Sequence, residues 1–223
     1  MQWKGFAATA LGSREMNQDS FLLNDARGLY AVADGVGGGV RGEVASKMAV
    51  EGLELRHPDD GTRLSRTIEK LQEAVLKEAM DSLGDALMGT TLTSVHLIGQ
   101  CAELCHVGDS RLYHYTDGLL RLMTEDHETF DENFQGPVLS SYLGLPPEFY
   151  PLRVQEEMVP VKPGDRLLIC SDGLYKQMTE RRIQDLIQSH LSDGQALVDL
   201  LVTEAGKAEY SDNITVVYVQ IEE

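Results

Sequence analysis

Short apolar runs closed by glycine, aspartate or asparagine recur along the chain and predict strands over 3–9, 20–24 and 29–34. From 42 to 55 the spacing of Val44, Ala45, Met48, Ala49 and Leu53 changes to that of a helix face, and a polar break at 57–61 follows. A second helix is predicted over 64–83, with Leu64, Ile68, Leu71, Val75 and Leu76 on one side. Strands at 90–98, 102–107, 111–115 and 119–123 then alternate with the turns Gly99-Gln100, Gly108-Asp109-Ser110 and Thr116-Asp117-Gly118. Residues 124–150 carry three prolines and no clear period, and read as a loop or flap. Strands at 154–159 and 166–171, helices at 179–188 and 195–207, and a last strand at 214–221 complete the pattern. Hairpin-linked strands imply antiparallel sheet, and helices grouped in a few blocks imply an α+β layered fold.

Composition narrows the classes. A chain of 223 residues, 42% of them apolar, has material for one domain with a substantial core. No apolar run reaches the ~20 residues that cross a bilayer, and Met1-Gln2-Trp3-Lys4-Gly5 does not open a secretory leader. Nineteen basic against 36 acidic residues leave a net charge of −17, which disfavours nucleic acid and anionic membrane as partners. Cys101, Cys105 and Cys170 are an odd number without histidine at zinc-ligand spacing, and read as small core residues of a cytoplasmic protein.

The chemistry concentrates in aspartates. In Tyr30-Ala-Val-Ala-Asp34-Gly35-Val36-Gly37-Gly38-Gly39 a buried strand ends on a carboxylate followed by a glycine run. Alone this is no more than a turn signal. The same placement recurs, however: Asp19 lies between two strands, Asp109 follows Val107-Gly108, Asp172 follows Leu167-Leu168-Ile169-Cys170-Ser171, and Asp212 precedes the final strand. Converging carboxylates repel unless cations neutralise them. Oxygen donors without histidine or cysteine suit magnesium or manganese rather than zinc.

Eight segments, in order, resemble the metal-dependent protein phosphatases (PPM, protein phosphatase 2C-like) in their bacterial stand-alone form. They are Arg14-x-x-Asn17-Gln18-Asp19, Ala33-Asp34-Gly35-Val36-Gly37-Gly38, Gly42-Glu43-Val44-Ala45-Ser46, Met88-Gly89-Thr90-Thr91, Val107-Gly108-Asp109-Ser110-Arg111, Thr124-Glu125-Asp126-His127, Cys170-Ser171-Asp172-Gly173-Leu174 and Ser211-Asp212-Asn213-Ile214-Thr215. The resemblance implies two packed antiparallel β-sheets flanked by α-helices, a four-layer αββα sandwich, as a single domain over 1–223 with a short flap at 124–150. It also implies two Mn²⁺ or Mg²⁺ ions. Asp34 would bridge them, the Gly35 carbonyl would ligate one, Asp172 and Asp212 would hold the first ion, and Asp19 the second. Asp109 with Asp172 matches a position for a weaker third ion, and Arg14 matches an arginine that clamps the substrate phosphate.

Such a pair of ions lowers the pKa of a water between them, and arginine's planar fork suits two phosphate oxygens. Arg14 could instead pair with Glu15 or Asp19, Asp109 could serve a hydrogen-bonded turn, and His127 reads as a loop anchor. Val36 stands where some relatives have histidine, and Gln18 where some have glutamate. Ser171 and Asn213 read as supports. The expected function is hydrolysis of phosphoserine and phosphothreonine in proteins, a Ser/Thr kinase or its targets, by a cytoplasmic monomer. Phosphotyrosine or small phosphate esters, and a non-catalytic binding module, stay open as alternatives; a two-metal nuclease is disfavoured by the charge.

Overall fold

The final strand explains the layering. Every residue of Ile214–Ile221 is buried, and the alternate side chains enter two different cores. Ile214, Val216 and Tyr218 face helices, whereas Val217, Val219 and Ile221 face a second sheet. A strand covered on both sides reads as a continuous apolar run, and β-branched residues suit that pleated setting. The computed structural model describes residues 1–36, 41–57, 61–83, 88–133 and 135–223, with the side chain of Leu83 left out. Gly37, Gly38 and Gly39 of the glycine run lie outside the described residues.

In chain order the elements are β1 (Gln2–Ala10), β2 (Asp19–Asn24), β3 (Leu29–Asp34), α1 (Gly42–Arg56), α2 (Leu64–Leu83), β4 (Leu92–Ile98), β5 (Cys101–Val107), β6 (Arg111–Thr116) and β7 (Leu119–Leu122). They continue as β8 (Glu128–Asp131), β9 (Gly136–Leu139), β10 (Gln155–Pro160), β11 (Arg166–Cys170), α3 (Asp172–Tyr175), α4 (Glu180–Ser189), α5 (Gly194–Ala205) and β12 (Ile214–Glu222). One sheet has the order β1-β12-β11-β6-β7 and the other β10-β5-β4-β3-β2, each antiparallel throughout. The outer face of the second sheet packs on α1 and α2 through Leu29, Ala31, Ala49, Leu53, Ile68 and Leu71. That of the first packs on α4 and α5 through Leu168, Ile183, Ile187, Leu197 and Leu201. Between the sheets lie Tyr30, Val32, Val95, Leu104, Ile169 and Val217. This is the αββα sandwich.

Caps and small residues set the helix positions. Thr179 accepts from the Arg182 amide at 3.3 Å and Asp193 from the Ala196 amide at 3.0 Å, taking up donors that helix starts leave bare. At Gly52 a Cβ would lie 2.5 Å from Leu71 Cδ2, so α1 and α2 cross closely there.

Two features depart from the periodicity. Within 124–150 the chain forms a hairpin, β8 and β9, whose residues are only half-buried or exposed and which, among the described residues, is a separate two-stranded sheet. Its apolar alternation is too weak to show in the sequence. Further, β11 stops at Cys170, and Ser171 leads into the four-residue helix α3 rather than extending the strand. Asp172 thus becomes the first residue of a helix.

Candidate active site

The acids arrive at the site from both sheets. Antiparallel pairing of β2 with β3 sets Asp19 opposite Asp34. Asp109 follows β5 after Gly108, whose φ of 112° suits glycine. From the other sheet come Asp172, the first residue of α3 just past β11, and Asp212, just before β12. Arg14, Asp34, Gly35, Asp109, Asp172 and Asp212 line one cleft of about 370 Å³, with Gln18, Val36, Thr91, Leu139 and Asn213 completing its wall. Asp19 lies behind that wall, where its Oδ2 accepts the Ser171 hydroxyl at 2.7 Å.

Backbone contacts hold the loop that carries Arg14. The Ser13 amide donates to the Ser211 carbonyl at 2.9 Å. Asn213 donates to the carbonyls of Leu11 and Met16 at 2.9 and 3.0 Å and accepts from the Gln18 amide at 2.8 Å. Gly12, at φ 61°, lies against Asp212, where a Cβ would come 2.0 Å from the carbonyl oxygen. Gly35 is equally confined: a Cβ there would lie 2.5 Å from the Gly42 carbonyl group at the start of α1. Thr91 Oγ1 accepts from the Asp34 amide at 3.0 Å and meets Ser110 Oγ at 2.7 Å, which fixes the end of β3.

The electrostatics are those of crowded, dry carboxylates. Burial, then repulsion from Asp19, Asp172, Asp109 and Asp212, raises Asp34 well above the ordinary range. Burial raises Asp19 to about 6, although the hydroxyls of Thr215 and Ser171 oppose the shift. Burial and Asp172 raise Asp109 to about 7 against the pull of Lys176. Two cations engage the others. Arg14 forks onto Asp212 at 2.8 and 2.5 Å, and Lys176 Nζ lies 2.6 Å from Asp172 and 3.8 Å from Asp109.

Among the described residues, Oδ1 of Asp19 and Oδ1 of Asp172 are buried without a hydrogen-bond partner. Buried acceptors left bare cost about 1–3 kcal/mol each, and divalent cations would satisfy them. The donor set therefore fits a hard ion through oxygen alone.

Every candidate residue reaches this region, but not always with the expected neighbours. Arg14 pairs with Asp212, not with Glu15 or Asp19, because Gly12 lays its loop on Asp212. His127 is an anchor: its amide donates to the Gly108 carbonyl at 2.7 Å, and its Nδ1 accepts from the Gly108 amide at 3.2 Å. Asn213 and Ser171 brace neighbouring groups, as expected. Sequence reasoning missed Thr91, Leu139 and Lys176. The four-residue spacing from Asp172 to Lys176 signals a helical ion pair, but only once α3 is known.

An oxygen-only acidic cleft where the two sheets of an αββα sandwich meet defines a class of proteins built to hold hard divalent cations. Residues 24–222 match the family described as Stage II sporulation protein E (SpoIIE). The serine/threonine phosphatase stp of Listeria innocua is 30% identical, over 93% of this chain and 91% of its own. PppA, described as a key regulatory component of T6SS in Pseudomonas aeruginosa, superposes with a TM-score of 0.87 at 30% identity, over 99% of this chain and 98% of that one. The catalytic domain of the phosphatase PstP, solved with two manganese ions, has a TM-score of 0.83 at 27% identity, over 100% and 99%. The chain belongs to the metal-dependent protein phosphatase family (PPM, protein phosphatase 2C-like), whose members are Ser/Thr protein phosphatases.

Proposed function

We propose that the cleft hydrolyses phosphoserine and phosphothreonine in proteins, a Ser/Thr kinase or its targets. The observation that carries this is the convergence of Asp19, Asp34, Asp109, Asp172 and Asp212, with two buried oxygens left without partners among the described residues. Asp172 and Asp212 would hold one Mn²⁺ or Mg²⁺ ion, Asp19 a second, Asp34 both, and the Gly35 carbonyl one of the two. Asp109 with Asp172 would serve a weaker third. When bound, such ions supply Lewis-acid polarisation of phosphate and a water acidic enough to react near neutral pH.

The chain's own part is positioning. Arg14, half-exposed at the cleft mouth, presents a planar fork matched to two phosphate oxygens. A cation held by Asp212 would compete with this fork for the carboxylate and would free the guanidinium for substrate. Val36 carries no acidic proton, so it does not protonate the departing serine or threonine oxygen. Beyond Arg14 a second cleft of about 380 Å³, lined by Lys176, Gln177 and the exposed Tyr210, has room for residues flanking a phosphorylated side chain. That supports a protein substrate over a small ester.

The test is Mn²⁺-dependent turnover of a phosphothreonine peptide beside a phosphotyrosine peptide, with wild type and Asp172→Ala. Turnover of phosphothreonine that is abolished in the variant is expected. A preference for phosphotyrosine would overturn the substrate class, and metal binding without any turnover would leave a binding module.

A further inference from the structure

A second set of metal-ligating side chains lies at the far end of α1. His96 on β4 and Glu103 on β5 are direct cross-strand partners. Both sit on the face that packs against α1 and α2, the face that also carries Leu92 and Cys105. His57, the residue that ends α1, closes over them. One ligand atom from each of the three lies within 4.8 Å of the other two. His57 and Glu103 are buried, 2% and 3% exposed, and His96 is half-buried, which leaves a way in from solvent.

The site is separate from the acidic cleft. It is about 20 Å from Gly42 by the rise of α1, and it adjoins Leu29 at the opposite end of β3 from Asp34.

We propose that His57, His96 and Glu103 bind a zinc ion. Nε2 of His57 and Nδ1 of His96 are 3.1 Å apart. Two imidazole nitrogens on one tetrahedral zinc, each bonded at about 2.05 Å, stand roughly 3.3 Å apart, so the pair is already near the required spacing. The other nitrogen of His57, Nδ1, lies 3.2 Å from Thr67 Oγ1, the outer hydrogen bond that orients a ligating imidazole and sets its tautomer. Glu103 accepts the Leu64 amide at the start of α2 through Oε1 at 2.9 Å, which holds the carboxylate toward the histidines. Burial raises the Glu103 carboxyl, and a cation would favour its ionised form. Two imidazoles and one carboxylate are a borderline donor set that suits zinc, in contrast to the oxygen-only cleft. The ion would tie the end of α1 to the β4–β5 pair and to the start of α2.

The experiment uses the full chain carrying Asp34→Asn and Asp172→Asn, so that uptake at the acidic cleft does not enter the count. Purified with zinc and dialysed, this protein is expected to retain about one zinc per chain by elemental analysis. Cobalt in its place is expected to give visible absorption of tetrahedral intensity. Adding His96→Gln or Glu103→Gln should weaken zinc binding tenfold or more, with folding checked by circular dichroism. Zinc should raise the melting temperature of the parent and not of those variants. Absence of retained zinc and of the cobalt band, or identical zinc content with His96→Gln, would overturn the proposal and leave a hydrogen-bonded trio. Because no activity is read, the outcome is independent of the phosphatase assay.

Discussion

Asp109→Asn offers a quantitative test of the electrostatics of the cleft. Asp109 is 6% exposed and faces Asp172, and its carboxyl is raised from 3.8 to about 7. A folded value above the unfolded one means that the stabilising contribution is present below 3.8 and is lost as the pH rises through about 7. Ionised in both states, the group costs the folded protein about 4 kcal/mol at 1.36 kcal/mol per pKa unit. Water entering the cleft brings that to about 2–4 kcal/mol. The amide removes the charge at nearly constant shape, so in chelated buffer at pH 8 the variant should be more stable by that amount. For a chain of this size the gain corresponds to roughly 4–16 °C in melting temperature. At pH 5 the gain should shrink to about 40% of its value at pH 8. The assay is denaturant or thermal unfolding of both proteins from pH 5 to 8. The difference between them cancels the buried histidines His106 and His127, lowered to about 3 and about 4, which act in the opposite direction. A gain that does not change with pH, or a less stable variant at pH 8, would refute the argument from burial and repulsion.

Three further outcomes follow from specific contacts. Arg14→Ala should lower kcat/KM on a phosphothreonine peptide by about 10²–10³ and raise Mn²⁺ affinity, since Asp212 loses its guanidinium partner and keeps only the Asn213 amide on Oδ1; weaker Mn²⁺ binding in calorimetry would contradict the competition. Gly12→Ala puts a Cβ 2.0 Å from the Asp212 carbonyl at φ 61°. It should cost about 1–3 kcal/mol and weaken Mn²⁺ binding, and an unchanged melt would show that the loop is free to shift. Asp165→Ala, remote from the cleft, removes the acceptor of His114 Nε2 at 3.0 Å and Thr116 Oγ1 at 2.6 Å. About 2–3 kcal/mol of stability should go, with kcat of the folded enzyme unchanged in the phosphopeptide assay.

Much of the molecule was legible in one dimension because its signals are local. The apolar runs of β3, β11 and β12 are continuous since each strand is buried on both faces, and α2 shows its face because only one side meets the core. An aspartate at the tip of such a strand stands out as a charge where the core ends, so Asp34, Asp109, Asp172 and Asp212 could be named. The hairpin β8–β9 could not, because its strands bury no consistent face and leave no period. The turn of Asp172 into α3, and with it the arrival of Lys176, also has no period to announce it.

By itself, then, the sequence determined most strands and helices, the strand ends and the acids that stand there, since burial and turn chemistry are written residue by residue, while the four layers followed only from the resemblance. Only the tertiary structure decided which charges meet. Arg14 and Asp212 are 198 residues apart and form a fork because Gly12 allows two loops to touch. His57, His96 and Glu103 carry no recognisable spacing, yet strand register and a helix end bring them together. Pairings of this kind are set by packing across elements, which no pattern along the chain records.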